Sequence, residues 1–199
     1  MKRPLLDADR IRRHSVPMRG VFSAGDLRRL LNEDRDVLLY RRIGVLCEAG
    51  VLTRFCRGMY VTEGFDPATL SSRVNPESYL SFGTVLAAEL VIGSVPATTW
   101  YAVKTGPSRT YRGAQLTLDY AGIARRLFFG YEIREGVRYA TPEKALLDTL
   151  YYYTSGRRFS FSVYEDISLE RINRSLVREY LARYRNPRFV AFVKEYLND

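Results

Sequence analysis

From Val21 onward the chain switches between helical four-and-three apolar spacing and short β-prone runs. In Val21-Phe22-Ser23-Ala24-Gly25-Asp26-Leu27, Ser23 is suited to cap a helix, and Asp26 sits near that helix's positive end. The pattern predicts a helix over 24–32. Asn32-Glu33-Asp34-Arg35 reads as a turn, followed by a second helix over 36–49 with Leu39, Ile43 and Leu46 as its buried stripe. Gly50 reads as its C-cap. Val51 to Val61 then splits into two short β-prone runs pivoting at Arg57-Gly58, the pattern of a hairpin. Ahead of all this, Leu5, Leu6 and Ile11 among charges predict a short lead-in helix over 4–14.

Helix, turn, helix, small hairpin is the order of a winged helix-turn-helix, in which the second helix enters the major groove and the hairpin reaches an adjacent backbone. Residues 1–64 are therefore expected to form a winged-helix DNA-binding domain with its lead-in helix. Glu63-Gly64-Phe65-Asp66-Pro67 marks the boundary, leaving 65–199 as a second domain.

There, Asn75-Pro76 places a cap residue before a proline and predicts a helix over 76–90 containing Tyr79, Phe82, Leu86 and Leu90, closed by Gly93. From Ala97 to Ala140 the pattern is β-rich, with runs at Thr98–Val103, Gln115–Tyr120, Leu127–Ile133 and Val137–Tyr139. This reads as a small, mostly antiparallel sheet. Thr141-Pro142-Glu143 opens another helix to about Tyr153, and two more are expected over 168–184 and 187–197. The expected fold class is α+β: a winged helix, then a mixed domain with a small antiparallel sheet and C-terminal helices.

Charge sharpens this picture. The 199 residues carry a formal charge of +9, mostly as arginine and concentrated at the two ends. Arginine suits planar, bidentate contact with phosphates and guanine edges, so double-stranded DNA is the expected partner. Turning the stripe of the 36–49 helix inward turns Val37, Arg41, Gly44 and Glu48 outward, with Tyr40 and Arg42 on the flanks. Arg41 is the candidate for a guanine edge, and Arg42 or Arg35 for a phosphate. Arg54 and Arg57 add cations on the hairpin.

Other chemistries find little footing. Two cysteines and one histidine do not make a zinc site of ordinary ligand count, and no cofactor is expected. Asp119, Glu132, Glu135, Glu143 and Asp148 show no nuclease-like spacing; Glu143 reads as a first-turn helix residue and Asp148 as an exposed neighbour of Lys144. Ser78 and Ser81 lack an obvious base, and there is no glycine-rich phosphate loop. An enzyme is not expected. Tyr151-Tyr152-Tyr153, Phe159 and Phe161 read as core or interface aromatics and Arg157-Arg158 as a solvated turn. Met1-Lys2-Arg3-Pro4 is followed by charges rather than an apolar stretch, and no run reaches membrane-spanning length. The expectation is a cytoplasmic protein with Cys47 and Cys56 reduced.

Several blocks together carry a family likeness. Phe22-Ser23, Leu46-x-x-x-Gly50-Val51-Leu52 into Arg57-Gly58-Met59-Tyr60, Ser78-Tyr79-Leu80-Ser81, Leu127-Phe128-Phe129-Gly130-Tyr131 and Ala140-Thr141-Pro142-Glu143-Lys144-Ala145-Leu146-Leu147-Asp148 resemble the AbiEi-type antitoxins of type IV toxin–antitoxin and abortive-infection systems. The likeness covers about residues 20–153. It implies a transcriptional repressor that binds promoter repeats of its own operon through the winged helix. It also implies a second domain that counteracts a nucleotidyltransferase-like toxin, without requiring a stable complex. The alternative is a stand-alone winged-helix regulator with a ligand-sensing or dimerisation domain.

Overall fold

A computed structural model describes residues 3–93 and 98–198. The start of the β-rich run at Ala97 and the basic Met1-Lys2 lie outside the described residues. The fold is mixed α+β, with eight α-helices and two sheets among those residues. None of the described helices is long and apolar enough to cross a membrane. The chain divides into two compact units, residues 1–74 with 111–117, and 75–110 with 118–199.

In the first unit the order is α1 (Arg3–Ser15), β1 (Val21–Ser23), α2 (Ala24–Leu31), α3 (Asp36–Glu48), β2 (Thr53–Cys56), β3 (Met59–Val61) and α4 (Pro67–Val74). The lead-in helix, both following helices and the hairpin match the sequence expectation. The strand β1 does not emerge from three residues of pattern; it joins β3 antiparallel, giving the sheet order β1-β3-β2. Ser23 and Asp26 form a reciprocal capping box. The Ser23 hydroxyl accepts from the Asp26 N–H at 3.1 Å, and the Ser23 N–H donates to the Asp26 carboxylate at 2.8 Å.

The stop of α3 is equally local. Gly50 takes φ 69°, the Val51 N–H donates to the Leu46 carbonyl at 2.9 Å, and the Gly50 N–H donates to that of Cys47 at 3.0 Å. This is the Schellman pattern that glycine alone adopts without steric cost. Leu39, Ile43 and Leu46 meet Ile11, Phe22, Leu27, Leu31 and Tyr60 in one buried cluster.

This unit extends past Gly64 because α4 packs onto β1. Arg73 at the end of α4 ion-pairs with Asp26 at 2.5 Å and also donates to the Val21 carbonyl. The domain boundary thus moves from Gly64 to Val74.

The second unit contains β4 (Ser78–Leu80), α5 (Phe82–Ala88), β5 (Thr99–Thr105), β6 (Arg109–Gly113), β7 (Leu116–Ile123), β8 (Tyr131–Arg134), β9 (Val137–Ala140), α6 (Pro142–Thr154), α7 (Arg174–Leu181) and α8 (Pro187–Tyr196). The residues 111–117 at the turn of β6 and β7 cluster with the first unit. The six strands lie in the order β6-β7-β5-β4-β9-β8. β4 pairs antiparallel with β5 and parallel with β9, so the sheet is not purely antiparallel.

The helix expected over 76–90 is replaced by a turn, the central strand β4 and the short α5. Asn75-Pro76 closes a turn whose carbonyl at Asn75 accepts from the Ser78 hydroxyl at 2.7 Å. Ser78, Tyr79 and Leu80 are all buried, which a one-faced helix at this place does not allow. The β-run expected from Leu127 starts only at Tyr131. Ahead of it lie a 3-10 turn at Arg125–Leu127 and Gly130 at φ 70°. The helix expected over 168–184 begins at Arg174, because Asn173 caps it by accepting from the Leu176 N–H at 3.2 Å.

Candidate nucleic-acid interface

Helix α3 and the β2–β3 hairpin display the residues singled out in sequence. On α3, Val37 is 81% exposed and Tyr40 50%, and Arg41 is exposed beside them. Arg54 on β2 and Arg57 at the turn are exposed, while Met59 and Tyr60 on β3 are buried beneath them. Tyr40, Arg54, Arg57, Gly58 and Tyr60 line one concavity of about 260 Å³. Arg41 lines a separate one of about 240 Å³ with Arg3, Pro4, Leu38 and Val45. The structure therefore brings Tyr40, Arg54 and Arg57 together and leaves Arg41 apart from them.

Arg42 is the exception among the candidates. Its guanidinium grips Asp7 through two bonds, Nε to Oδ2 at 2.9 Å and Nη2 to Oδ1 at 2.6 Å. It also donates to the Leu31 carbonyl at 2.9 Å and lies 3.7 Å from Glu33. With these donors committed inside the helical core, Arg42 joins α1 to α3 and is not presented outward. Arg35 keeps most of its side chain in solvent and reaches Glu33 at 3.4 Å.

Most of the other arginines of this unit are paired, whereas Arg10 and Arg12 on α1 and Arg112 on β6 are exposed and have no carboxylate partner among the described residues. Arg28 pairs with Asp36, Arg29 and Arg73 with Asp26, Arg13 with Asp9 and Arg19 with Asp66. Among the described residues, Arg41, Arg54 and Arg57 have no carboxylate within ion-pair distance. Burial acts upward on the Asp26 carboxyl. Bonds from the Ser23 hydroxyl and N–H, with the charges of Arg73 and Arg29, outweigh it and hold the group below its ordinary value. Burial pushes the Cys47 thiol up, with Arg54 opposing, so it stays protonated at neutral pH. Both cysteines are free of disulfides.

The second unit corrects a further expectation. Asp148 is not an exposed neighbour of Lys144: both side chains are fully buried and form an ion pair one helical turn apart on α6. The Tyr79 hydroxyl donates to Asp148 Oδ2 at 3.0 Å and the Ser81 hydroxyl donates to the same oxygen at 2.8 Å. Lys144 Nζ donates to the Tyr184 hydroxyl at 3.3 Å and sits 5.1–5.9 Å from the ring centres of Phe129, Tyr79 and Tyr184. Burial lowers the Lys144 ammonium below its ordinary value, with Asp148 opposing. The three sequence blocks around Tyr79, Phe129 and Lys144 thus converge on one buried polar network. The apolar run that surrounds Lys144 and Asp148 on α6 was the available signal, because a helix buried on every side takes its charges inside with it.

Three other carboxylates weighed in the sequence are occupied. Asp119 pairs with Arg157 at 2.6 Å, Glu132 with Arg134 at 3.4 Å, and Glu143 accepts from the Asn173 N–H at 3.0 Å. No group of three metal-ligating side chains occurs among the described residues. Arg157 is not a solvated turn residue either, since it also lies over the rings of Phe82, Tyr101, Tyr152 and Phe159. Tyr151 packs on Tyr184 and Phe189, and Tyr153 on Tyr164 and Phe192, all within the second unit. No family model matches this chain, and no curated protein matches it.

Proposed function

We propose that the chain is an AbiEi-type antitoxin that binds promoter DNA through its N-terminal winged helix and represses its own operon. The second unit counteracts a nucleotidyltransferase-like toxin and performs no catalysis of its own. The observation that carries the DNA reading is the sorting of arginines in the first unit. Most are paired with carboxylates, whereas Arg41, Arg54 and Arg57 are exposed and without such partners on α3 and the hairpin. Arg10 and Arg12 on α1 and Arg112 on β6 are also without ion pairs among the described residues, but α3 and the hairpin place three such cations on the two elements that a winged helix turns to DNA, which favours an anionic partner there. Arg41, on the helix, reads a base edge. Arg54 and Arg57, sharing a concavity with the Tyr40 phenol, hold a backbone phosphate.

The test is binding of the full chain to DNA from upstream of its own reading frame, measured across a range of salt concentrations. Arg57→Ala lowers the salt slope by about one unit and weakens binding to all sequences alike. Arg41→Ala narrows the gap between promoter and unrelated DNA by about 1–3 kcal/mol. A triple Arg41, Arg54 and Arg57 alanine variant that folds and still binds the promoter as tightly as the parent chain refutes the assignment.

A further inference from the structure

The second unit carries a polar concavity for which DNA binding has no use. It measures about 340 Å³ and is lined by Glu77, Thr105, Arg125, Phe128, Tyr131 and Arg138. That volume lies at the lower end for small-molecule sites, which start at about 300 Å³.

Its walls are fixed from behind. Tyr131 stacks on Tyr79 with ring centres 5.5 Å apart and 20° between planes, and the Tyr79 hydroxyl is tied to Asp148. Phe128 packs on both rings, 5.0 Å from Tyr79 and 5.4 Å from Tyr131. The Arg138 guanidinium lies 5.5 Å above the Tyr131 ring centre and uses one nitrogen to donate to the Pro76 carbonyl at 2.9 Å, leaving other donors unspent. Arg125 is exposed in the 3-10 turn and pairs with no carboxylate among the described residues. Glu77, also exposed, is likewise without a cationic partner there.

Each part of the lining asks for a different piece of one ligand. Two guanidiniums at one concavity, Arg138 held against the Tyr131 ring and Arg125 exposed beside it, select an anion with several acceptor oxygens, as a phosphate monoester has. Half-buried rings beside a guanidinium plane favour a flat heterocycle. A free carboxylate within the same small volume repels a bare anion but accepts a hydrogen bond from an amine. We propose that this cavity binds a mononucleotide unit whose base carries an exocyclic amine. The phosphate lies on Arg125 and Arg138, the base on the Phe128 side, and the amine on Glu77. The same unit occurs free or at the end of a single strand.

Titration calorimetry of the full chain with CMP, UMP, inorganic phosphate and a 5′-phosphorylated cytidine dinucleotide tests this. CMP binds with Kd below about 1 mM. UMP, which lacks the amine, binds about tenfold more weakly, and Glu77→Ala removes that difference. Arg125→Ala weakens CMP about tenfold without moving the thermal transition, since its side chain is exposed. A dinucleotide that binds more tightly than CMP identifies a strand end as the source, and one that binds less tightly identifies a free nucleotide. Inorganic phosphate binding as well as CMP, no response to CMP or to AMP and GMP titrated in the same way, or full affinity in Arg125→Ala overturns the proposal. Promoter binding is unchanged in these variants, so the two readings succeed or fail separately.

Discussion

Arg42 and Asp7 meet across 35 positions of sequence as a two-pronged ion pair, with contacts of 2.9 and 2.6 Å and with little of either side chain in solvent. The contact makes Arg42 a strut between α1 and α3. Removing one partner of such a pair leaves an uncompensated buried charge, at a cost of about 3–5 kcal/mol. Arg42→Ala is expected to lower unfolding stability by that amount in urea titrations. Arg57→Ala, at an exposed turn, changes it by no more than about 0.5 kcal/mol. A loss below about 1 kcal/mol for Arg42→Ala rules out the structural role.

The Lys144–Asp148 pair gives a second test, now of a network. Asp148→Ala strands a buried ammonium together with the hydroxyls of Tyr79 and Ser81, and is expected to cost at least about 3–5 kcal/mol. Combining Lys144→Met with Asp148→Leu removes both charges at once and loses less than the Asp148 single variant. Equal or greater loss in the double variant, by chemical denaturation, shows that packing rather than charge pairing dominates there.

Alkaline pH probes the same region. Burial raises the phenols of Tyr79, Tyr184 and Tyr152 above their ordinary range, and Asp148 adds to it. Burial also pushes Tyr196 up to about 12. A phenol whose folded value is raised contributes stability that is complete below its unfolded value of about 10 and is lost as pH rises through the folded one. Lys144 has the opposite sign. Its lowered folded value adds stability as pH rises toward the unfolded value of about 10.5 and nothing more beyond. Above about pH 10.5 the tyrosines therefore prevail and stability falls. In ultraviolet titration these phenols ionise together with unfolding; smooth ionisation of all 15 tyrosines in a folded chain contradicts their burial.

Gly130 offers a backbone test. It sits at φ 70°, and a Cβ there lies 3.0 Å from the Tyr180 ring and 3.1 Å from the Lys144 side chain. At Gly50, also left-handed, a Cβ meets open space. Gly50→Ala carries the conformational penalty alone, about 1 kcal/mol, whereas Gly130→Ala adds crowding against the half-buried Tyr180 ring and the buried Lys144 side chain and exceeds it, toward about 3 kcal/mol. Thermal unfolding of the two variants orders them; equal losses remove the case for close packing at Gly130.

The first unit was largely legible because its signals are local. Ser23 with Asp26, the Leu39-Ile43-Leu46 stripe and Gly50 each act within a turn or two of chain. The second unit was less so because its decisive contacts are distant. Ser78-Tyr79-Leu80 is a strand only because β5 and β9 flank it, while Asn75-Pro76 locally resembles a helix start. The candidate interface shows the same divide. Exposure of Arg41 follows from helical period, but the withdrawal of Arg42 depends on Asp7, which no short-range pattern connects to it.

The placement of β4 governs how the chain is made as well as how it stands. The strands of the first sheet all lie between Val21 and Val61, so that sheet closes as soon as this stretch leaves the ribosome. In the second sheet Leu80 pairs in parallel with Tyr139, with α5 and strands β5 to β8 intervening. Closing so long a loop carries an entropy cost that local contacts do not offset in advance. Synthesis therefore orders the two halves in time: the arginine-bearing end acquires its form first, and the central strand of the second sheet waits, unpaired on one side, until β9 has been translated.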